Sequence, residues 1–140
     1  MNQEQQNKLY NYQHLNQYAI KGQILFTGSS LMEQFPLNEL LQSAKINKIV
    51  YNRGVGGFTT DDFLNAIDIM LFDLAPAKIF LNIGTNDIKE YPDGTYWVDH
   101  LLDNYTCILK QCRDRLPASE CYLMAYYPVN SRLPVSGQGG

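Results

Sequence analysis

The stretch ILFTGSSLMEQF, residues 24–35, changes its hydrophobic pattern at three small residues. Before Gly28 the apolar residues are continuous, which is typical of a short strand covered on both faces. After Ser30 they recur at the wider spacing of a helix. The stretch therefore predicts a strand, a sharp turn and a helix, with the Ser30 hydroxyl placed at the turn.

The same alternation continues along the chain. Strands are predicted at 23–28, 47–54, 77–84 and 120–129, and helices at 3–20, 30–43 with a break near Pro36, 59–74 and 95–116. Buried strands that alternate with amphipathic helices indicate an α/β fold, with a parallel sheet and helices on both of its faces. We expect an N-terminal helical segment over 1–21, one domain over 22–130 and an irregular tail over 131–140.

Composition excludes several classes of function. The chain has 140 residues and a net charge of −3 without a basic cluster, which argues against nucleic-acid binding. Its polar start lacks the apolar core of a signal peptide, and no apolar run approaches the length of a membrane span. Three cysteines without metal-type spacing predict reduced, buried thiols and a cytoplasmic location.

Small or polar residues follow three successive predicted strands. They are Gly28-Ser29-Ser30, the glycine-rich stretch 52–57, and Gly84-Thr85-Asn86-Asp87. Each has a structural explanation, since serine and asparagine cap helices and glycine forms turns. Ligands of an open parallel sheet, however, bind outside the carboxyl ends of its strands. A hydroxyl, a glycine backbone and a carboxamide on one edge are the groups that acyl transfer needs, so their joint occurrence favours a catalytic site.

Three motifs carry a resemblance to a known family. FTGSSL (26–31), NRGVGG (52–57) and IGTND (83–87) resemble the first three sequence blocks of the SGNH (GDSL-type) hydrolases, in their order. Over residues 22–130 the chain is most similar to the bacterial branch related to platelet-activating-factor acetylhydrolase. The resemblance implies a flavodoxin-like three-layer α/β/α sandwich with a mostly parallel sheet.

The resemblance also assigns roles to residues. It implies that Ser30 is the nucleophile, and that the Gly57 N–H, the Asn86 side-chain amide and the Ser30 N–H hold the oxyanion. It implies neither a metal nor an organic cofactor. Ser29 stands where the family motif has aspartate, a mild change outside the acid–base machinery.

Two further features depart from the family. The catalytic histidine of its D-x-x-H block has no counterpart, because His14 and His100 both fall in predicted helices away from the strand ends. The fold also lacks its last strand and helix, so we expect a C-terminally truncated domain of low activity. The edge strand left bare is expected to promote self-association.

The sequence thus predicts a serine esterase that acts on a small-molecule acyl ester through an acyl-serine intermediate. Acetylated sugars, short-chain esters, thioesters and lysophospholipids all remain open as substrates. One alternative is a noncatalytic flavodoxin-like module that binds a phosphate or nucleotide, although Thr59 interrupts the dinucleotide fingerprint that begins at Gly54. Another is a noncatalytic relative that binds acyl or glycan ligands.

Overall fold

The structure is a computed structural model that describes residues 1–88 and 96–127. Its strands are β1 (Ile24–Gly28), β2 (Val50–Gly54), β3 (Lys78–Asn82) and β4 (Glu120–Leu123). Its helices are α1 (Gln3–Tyr18), α2 (Ser30–Glu33), α3 (Leu37–Ser43), α4 (Thr60–Asn65), α5 (Ile67–Met70) and α6 (Trp97–Arg115). Short 3-10 turns occupy Phe72–Leu74 and Thr85–Asp87.

The described strands form one parallel sheet in the order β2-β1-β3-β4. Leu25 of β1 lies opposite Tyr51 of β2 and Ile79 of β3. The chain passes from β1 to β2 on one side and then crosses to β3 on the other side. The carboxyl ends of β1 and β3 therefore flank the topological switch point, where ligands bind in such sheets. The predicted α/β fold with a parallel sheet and flanking helices is confirmed.

The two faces of the sheet are covered unequally. Leu25, Ile79 and Leu81 are fully buried on the face covered by α1, α4, α5 and α6. On the other face, Phe26, Phe80 and Tyr122 form a stacked aromatic ladder with ring centroids 4.6 and 4.9 Å apart. The strands were expected to be buried on both faces, but this ladder is only partly covered, because the short helices α2 and α3 follow β1 and reach only part of it.

The second and third strands are shorter than predicted: β2 is Val50–Gly54 and β3 is Lys78–Asn82, against predictions of 47–54 and 77–84. Two further predicted elements differ more strongly. The helix expected over 59–74 is divided into α4, α5 and a 3-10 turn, because the backbone leaves the helical region at Ala66 (φ −113°, ψ 16°). The fourth strand ends at Leu123, so residues 124–127 are not part of it. Residues 128 and 129, which were also assigned to that strand, and the predicted tail at 131–140 lie outside the described residues, and the division into segments stays a prediction.

Within the ranges 1–88 and 96–127, no helix combines the length and the apolar character that crossing a membrane requires.

Candidate active site

Ser30 begins α2 directly after a backbone bend at the end of β1. Gly28 has φ +143°, and a Cβ there would lie 1.9 Å from the carbonyl oxygen of Asn82 in the neighbouring strand. The Ser29 N–H donates to that same carbonyl oxygen at 3.1 Å. Only glycine fits this close approach, and the chain then turns into α2 with Ser30 half-buried at its first position.

The glycine-rich loop after β2 packs against the start of α2. The Val55 N–H donates to the carbonyl oxygen of Gly28 at 3.0 Å. A Cβ on Gly54 would lie 2.2 Å from the backbone nitrogen of Glu33, and one on Gly56 would lie 4.0 Å from the Cβ of Ser30. The small residues therefore let this loop lie beside the serine side chain.

Asn86 reaches the same loop from the end of β3. Its Nδ2 donates to the carbonyl oxygen of Phe58 at 2.9 Å. Ser30 thus lies next to Gly56, Asn86 bonds to Phe58, and Gly57 lies between these two points of contact. The three predicted site residues therefore meet at residues 56–58 of the loop.

Asp87 anchors the turn that carries Asn86. Its carboxylate is fully buried and accepts hydrogen bonds from the backbone N–H of Thr60 at 3.0 and 3.1 Å and from the Thr60 hydroxyl at 2.5 Å. Asp87 therefore caps the first turn of α4 across space, and it fixes the position of Asn86 relative to Phe58.

Two tyrosines, Tyr105 of α6 and Tyr126 after β4, bind the backbone just after the end of β3. The hydroxyls of Tyr105 and Tyr126 both donate to the carbonyl oxygen of Ile83, at 2.5 and 2.6 Å. Burial, which disfavours the phenolate, raises the pKa of Tyr105 well above its usual range. A Cβ on Gly84 would lie 2.2 Å from the Tyr126 hydroxyl, so the glycine makes room for this contact.

His100 lies on α6, as expected, and its side chain has a partner that the sequence did not predict. Its side chain is 31% exposed, and Nε2 lies 2.8 Å from Oδ1 of Asp61. The amide of Asn104, one helical turn further along α6, donates to the same oxygen at 2.8 Å. His14, in contrast, is exposed and lies edge-on to the ring of Tyr10.

Ser29, at the position of the family's aspartate, lies inside the fold. The residue is fully buried, and among residues 1–88 and 96–127 its Oγ has no hydrogen-bond partner. The same holds for Oδ1 of Asn82, on the neighbouring strand. A buried polar atom without a partner costs about 1–3 kcal/mol, so each of these two atoms, next to Ser30 and on the neighbouring strand, lowers the stability of the fold.

Helix α1 contacts the loop in a way that the sequence pattern did not predict. Gln5 Nε2 donates to the carbonyl oxygen of Gly56 at 2.8 Å, and the Tyr12 hydroxyl donates to that of Gly54 at 2.7 Å. Both residues belong to a polar helix with a thin apolar stripe, a pattern that carries no signal of such a role. Within the described part of the chain, no group of three His, Cys, Asp or Glu side chains is arranged to hold a metal ion.

This chain is similar to known proteins in both sequence and fold. The sequence profile of the family described as GDSL-like lipase/acylhydrolase matches residues 28–139. No curated protein sequence matches the chain. A solved structure from Streptococcus pneumoniae, described provisionally as a platelet activating factor, is 37% identical with a TM-score of 0.78. That match covers 92% of this chain and 57% of the other.

Two more distant structures share the fold. A protein from Bacteroides fragilis, described provisionally as an acylhydrolase, is 24% identical with a TM-score of 0.65, over 82% of this chain and 55% of its own. The esterase EstA from Pseudoalteromonas sp., in a structure inhibited by monoethylphosphonate, is 20% identical with a TM-score of 0.59, over 74% of this chain and 59% of its own. This chain therefore spans less than two thirds of the length of each of these three proteins.

Proposed function

Because this chain belongs to the GDSL-like lipase/acylhydrolase family, we propose that it is a serine ester hydrolase domain with Ser30 as its nucleophile. The observation that carries this proposal is that Ser30 lies beside Gly56 and Asn86 bonds to Phe58, at opposite ends of the 56–58 segment. Gly57, between them, has φ +76°, a conformation that suits glycine. The substrate class that follows is a small acyl ester, in which an acyl group is joined to an alcohol.

The proposed chemistry proceeds in two steps. The Ser30 Oγ attacks the ester carbonyl carbon, and the resulting oxyanion accepts hydrogen bonds from the Ser30 N–H, the Gly57 N–H and Asn86 Nδ2. A primary amide carries two N–H groups, so Asn86 can keep its bond to Phe58 while it donates to the oxyanion. The tetrahedral intermediate then expels the alcohol, which takes up a proton equivalent to the one that the serine released, and water hydrolyses the acyl-serine to the carboxylic acid and the free serine hydroxyl. Each oxyanion donor is worth about 3–4 kcal/mol in the transition state.

This mechanism requires a base near Ser30. A serine hydroxyl needs a neighbouring group to accept its proton. His100 has Nε2 within hydrogen-bonding distance of Asp61, on the side of α4 and α6, and His14 lies on the exposed face of α1. Among residues 1–88 and 96–127, no hydrogen bond joins either histidine to Ser30, so we expect acyl transfer to be slow, with the oxyanion donors supplying most of the remaining catalysis.

A burst experiment tests the proposal. p-Nitrophenyl acetate mixed with the chain should release about one equivalent of p-nitrophenol per chain, followed by slow turnover. Ser30→Ala should abolish the burst, whereas His100→Gln, which replaces a histidine outside the proposed site, should retain it. A burst of full size in Ser30→Ala would overturn the assignment. Thermal stabilisation by a nucleotide without any burst would instead favour the noncatalytic binding module.

Self-association through β4 is a second part of the proposal. β4 pairs only with β3 among the described strands, and Tyr122 and Leu123 are 42% and 50% exposed. An open strand edge with apolar side chains favours pairing with another chain. Sedimentation at tens of micromolar should show a dimer or larger species that Leu123→Lys reduces, whereas Leu102→Lys, at an exposed leucine of α6, should not. A stable monomer would refute it.

We also propose a cytoplasmic location, on the basis of the cysteines. Cys107, Cys112 and Cys121 are all free thiols, as a reducing compartment favours. The expectation that they are buried is correct for Cys112 and wrong for Cys107, which is exposed on α6.

A further inference from the structure

We propose that α1 is a positioning element for the oxyanion loop, and that Gln5 sets the direction of the Gly57 N–H. This inference rests on the proposed function, because it assigns a role to a residue that acts through Gly57. Gln5 would not touch the substrate. It would act by holding the peptide unit that joins Gly56 to Gly57.

The turn that contains this peptide unit does not fix it alone. The Phe58 N–H donates to the carbonyl oxygen of Val55 at 3.3 Å, which closes a four-residue turn. Gly57 has a positive φ and Gly56 does not, the combination of a type II turn. Type I and type II turns differ by a flip of the central peptide unit. Two adjacent glycines permit either form, since neither carries a side chain that forbids it.

The bond from Gln5 selects one of the two orientations. Gln5 Nε2 donates to the carbonyl oxygen of Gly56 at 2.8 Å. In a trans peptide unit the C=O and the following N–H point in opposite directions. A donor that holds the Gly56 oxygen on one side therefore directs the Gly57 N–H to the other side. A flipped peptide would lose the bond to Gln5 and turn the Gly57 N–H away.

Further contacts hold the helix and loop together. The Tyr12 hydroxyl donates to the carbonyl oxygen of Gly54 at 2.7 Å. Glu33 accepts a hydrogen bond from the Gly56 N–H and pairs with Lys8 of α1. Tyr12 and Glu33, more than 20 positions away in sequence, thus bind the loop before the peptide unit in question, and Asn86 binds it after that unit through the carbonyl oxygen of Phe58.

Gln5 has a second role that the test must separate from the first. Its Oε1 accepts a hydrogen bond from the Asn2 N–H at 2.8 Å, while the Asn2 side chain accepts one from the Gln5 N–H at 2.9 Å. This capping box stabilises the start of α1. Gln5→Glu keeps the capping acceptor, but it replaces the donor to Gly56 by a carboxylate oxygen. Asn2→Ala does the reverse: it removes the cap and leaves Nε2 of Gln5 in place.

The rate at which a fluorophosphonate labels Ser30 is the direct readout. In labelling, the serine Oγ–P bond forms, fluoride leaves and the serine proton passes to solvent, while the phosphoryl oxygen takes the place of the oxyanion. We expect Gln5→Glu to slow labelling at least about tenfold, because removal of one whole oxyanion donor costs roughly 100-fold or more. Gln6→Glu, the same charge change at an exposed position of α1, should label within about twofold of the parent chain.

Asn2→Ala should lower the thermal midpoint by a few degrees through loss of its cap, with labelling within about twofold of the parent chain. Equal labelling rates in Gln5→Glu and Gln6→Glu would overturn the role of Gln5 and leave Ser30 as the nucleophile. Absence of Ser30 labelling in the parent chain would overturn the proposed function instead. The amide NMR signal of Gly57 tests the positioning role without any chemistry: it should shift or split in Gln5→Glu and not in Gln6→Glu, and an unchanged signal in both refutes it.

Discussion

Replacement of Asp87 tests how the site is held together. Asp87→Ala removes the buried carboxylate that accepts both the N–H and the hydroxyl of Thr60. The Thr60 residue is itself fully buried, so water cannot readily replace the lost acceptor. Both the turn that carries Asn86 and the first turn of α4 would then lose a shared anchor.

The magnitude follows from the contacts that are lost. A hydrogen bond to a charged group contributes about 1.5–3 kcal/mol, and a buried N–H without an acceptor costs about 1–3 kcal/mol. These effects overlap, so we expect Asp87→Ala to lower the free energy of unfolding by about 3 kcal/mol. That loss corresponds to a fall of roughly 10 °C in the thermal midpoint for a domain of this size. Asp87→Asn keeps one acceptor oxygen and should lie between Asp87→Ala and the parent chain.

Urea unfolding followed by far-UV circular dichroism measures this loss. Asp99→Ala is the matched control, because Asp99 lies in the first turn of α6 and is exposed. Its loss should cost only a few tenths of a kcal/mol through the helix dipole. A loss below about 1 kcal/mol in Asp87→Ala, or equal losses in the two variants, would refute the anchoring role.

Two further predictions concern packing and pH. Gly54→Ala should destabilise the fold by more than about 3 kcal/mol, because the new Cβ would lie 2.2 Å from the backbone nitrogen of Glu33. Gly22→Ala, at φ +77° in open space, should cost only about 1–2 kcal/mol, and comparable urea midpoints for the two variants would contradict this. Burial raises the pKa of Tyr105 above its ordinary value of 10.0, and that of Tyr12 in the same direction. The folded chain therefore keeps these phenols protonated at pH values where the unfolded chain has already released its phenol protons. Their contribution to the free energy of unfolding is therefore constant below about pH 10 and falls at higher pH. Tyr105→Phe should make this fall less steep in urea unfolding between about pH 9.5 and 11.5, and an unchanged slope would refute the assignment.

The parts of the fold that the sequence predicted are those set by local pattern. Apolar runs that end in glycine identified β1, β2 and β3, and Pro36 separated α2 from α3, because these signals depend on residues that are neighbours in the chain. The rule that parallel strands present their carboxyl ends on one edge predicted that residues 28–30, 52–57 and 84–87 lie close together, and the family resemblance selected Ser30, Gly57 and Asn86 among them.

Contacts between distant residues could not be predicted in this way. Gln5 reads as one polar residue of a polar helix, and only the packing of α1 places it against Gly56. His100 was predicted only as a residue of a helix away from the strand ends, and the packing of α4 against α6, which brings Asp61 to it, could not be predicted. The break at Ala66 was missed because the apolar spacing continues through it.

The proposed function requires that Ser30, Gly57 and Asn86 surround one point that can hold a single oxygen atom. A crystal structure of the chain labelled with a phosphonate tests it most directly. We expect a bond from phosphorus to Ser30 Oγ, with the phosphoryl oxygen about 2.7–3.1 Å from both the Gly57 nitrogen and Asn86 Nδ2. A phosphoryl oxygen that faces solvent, beyond about 3.5 Å from both of those nitrogens, would contradict it.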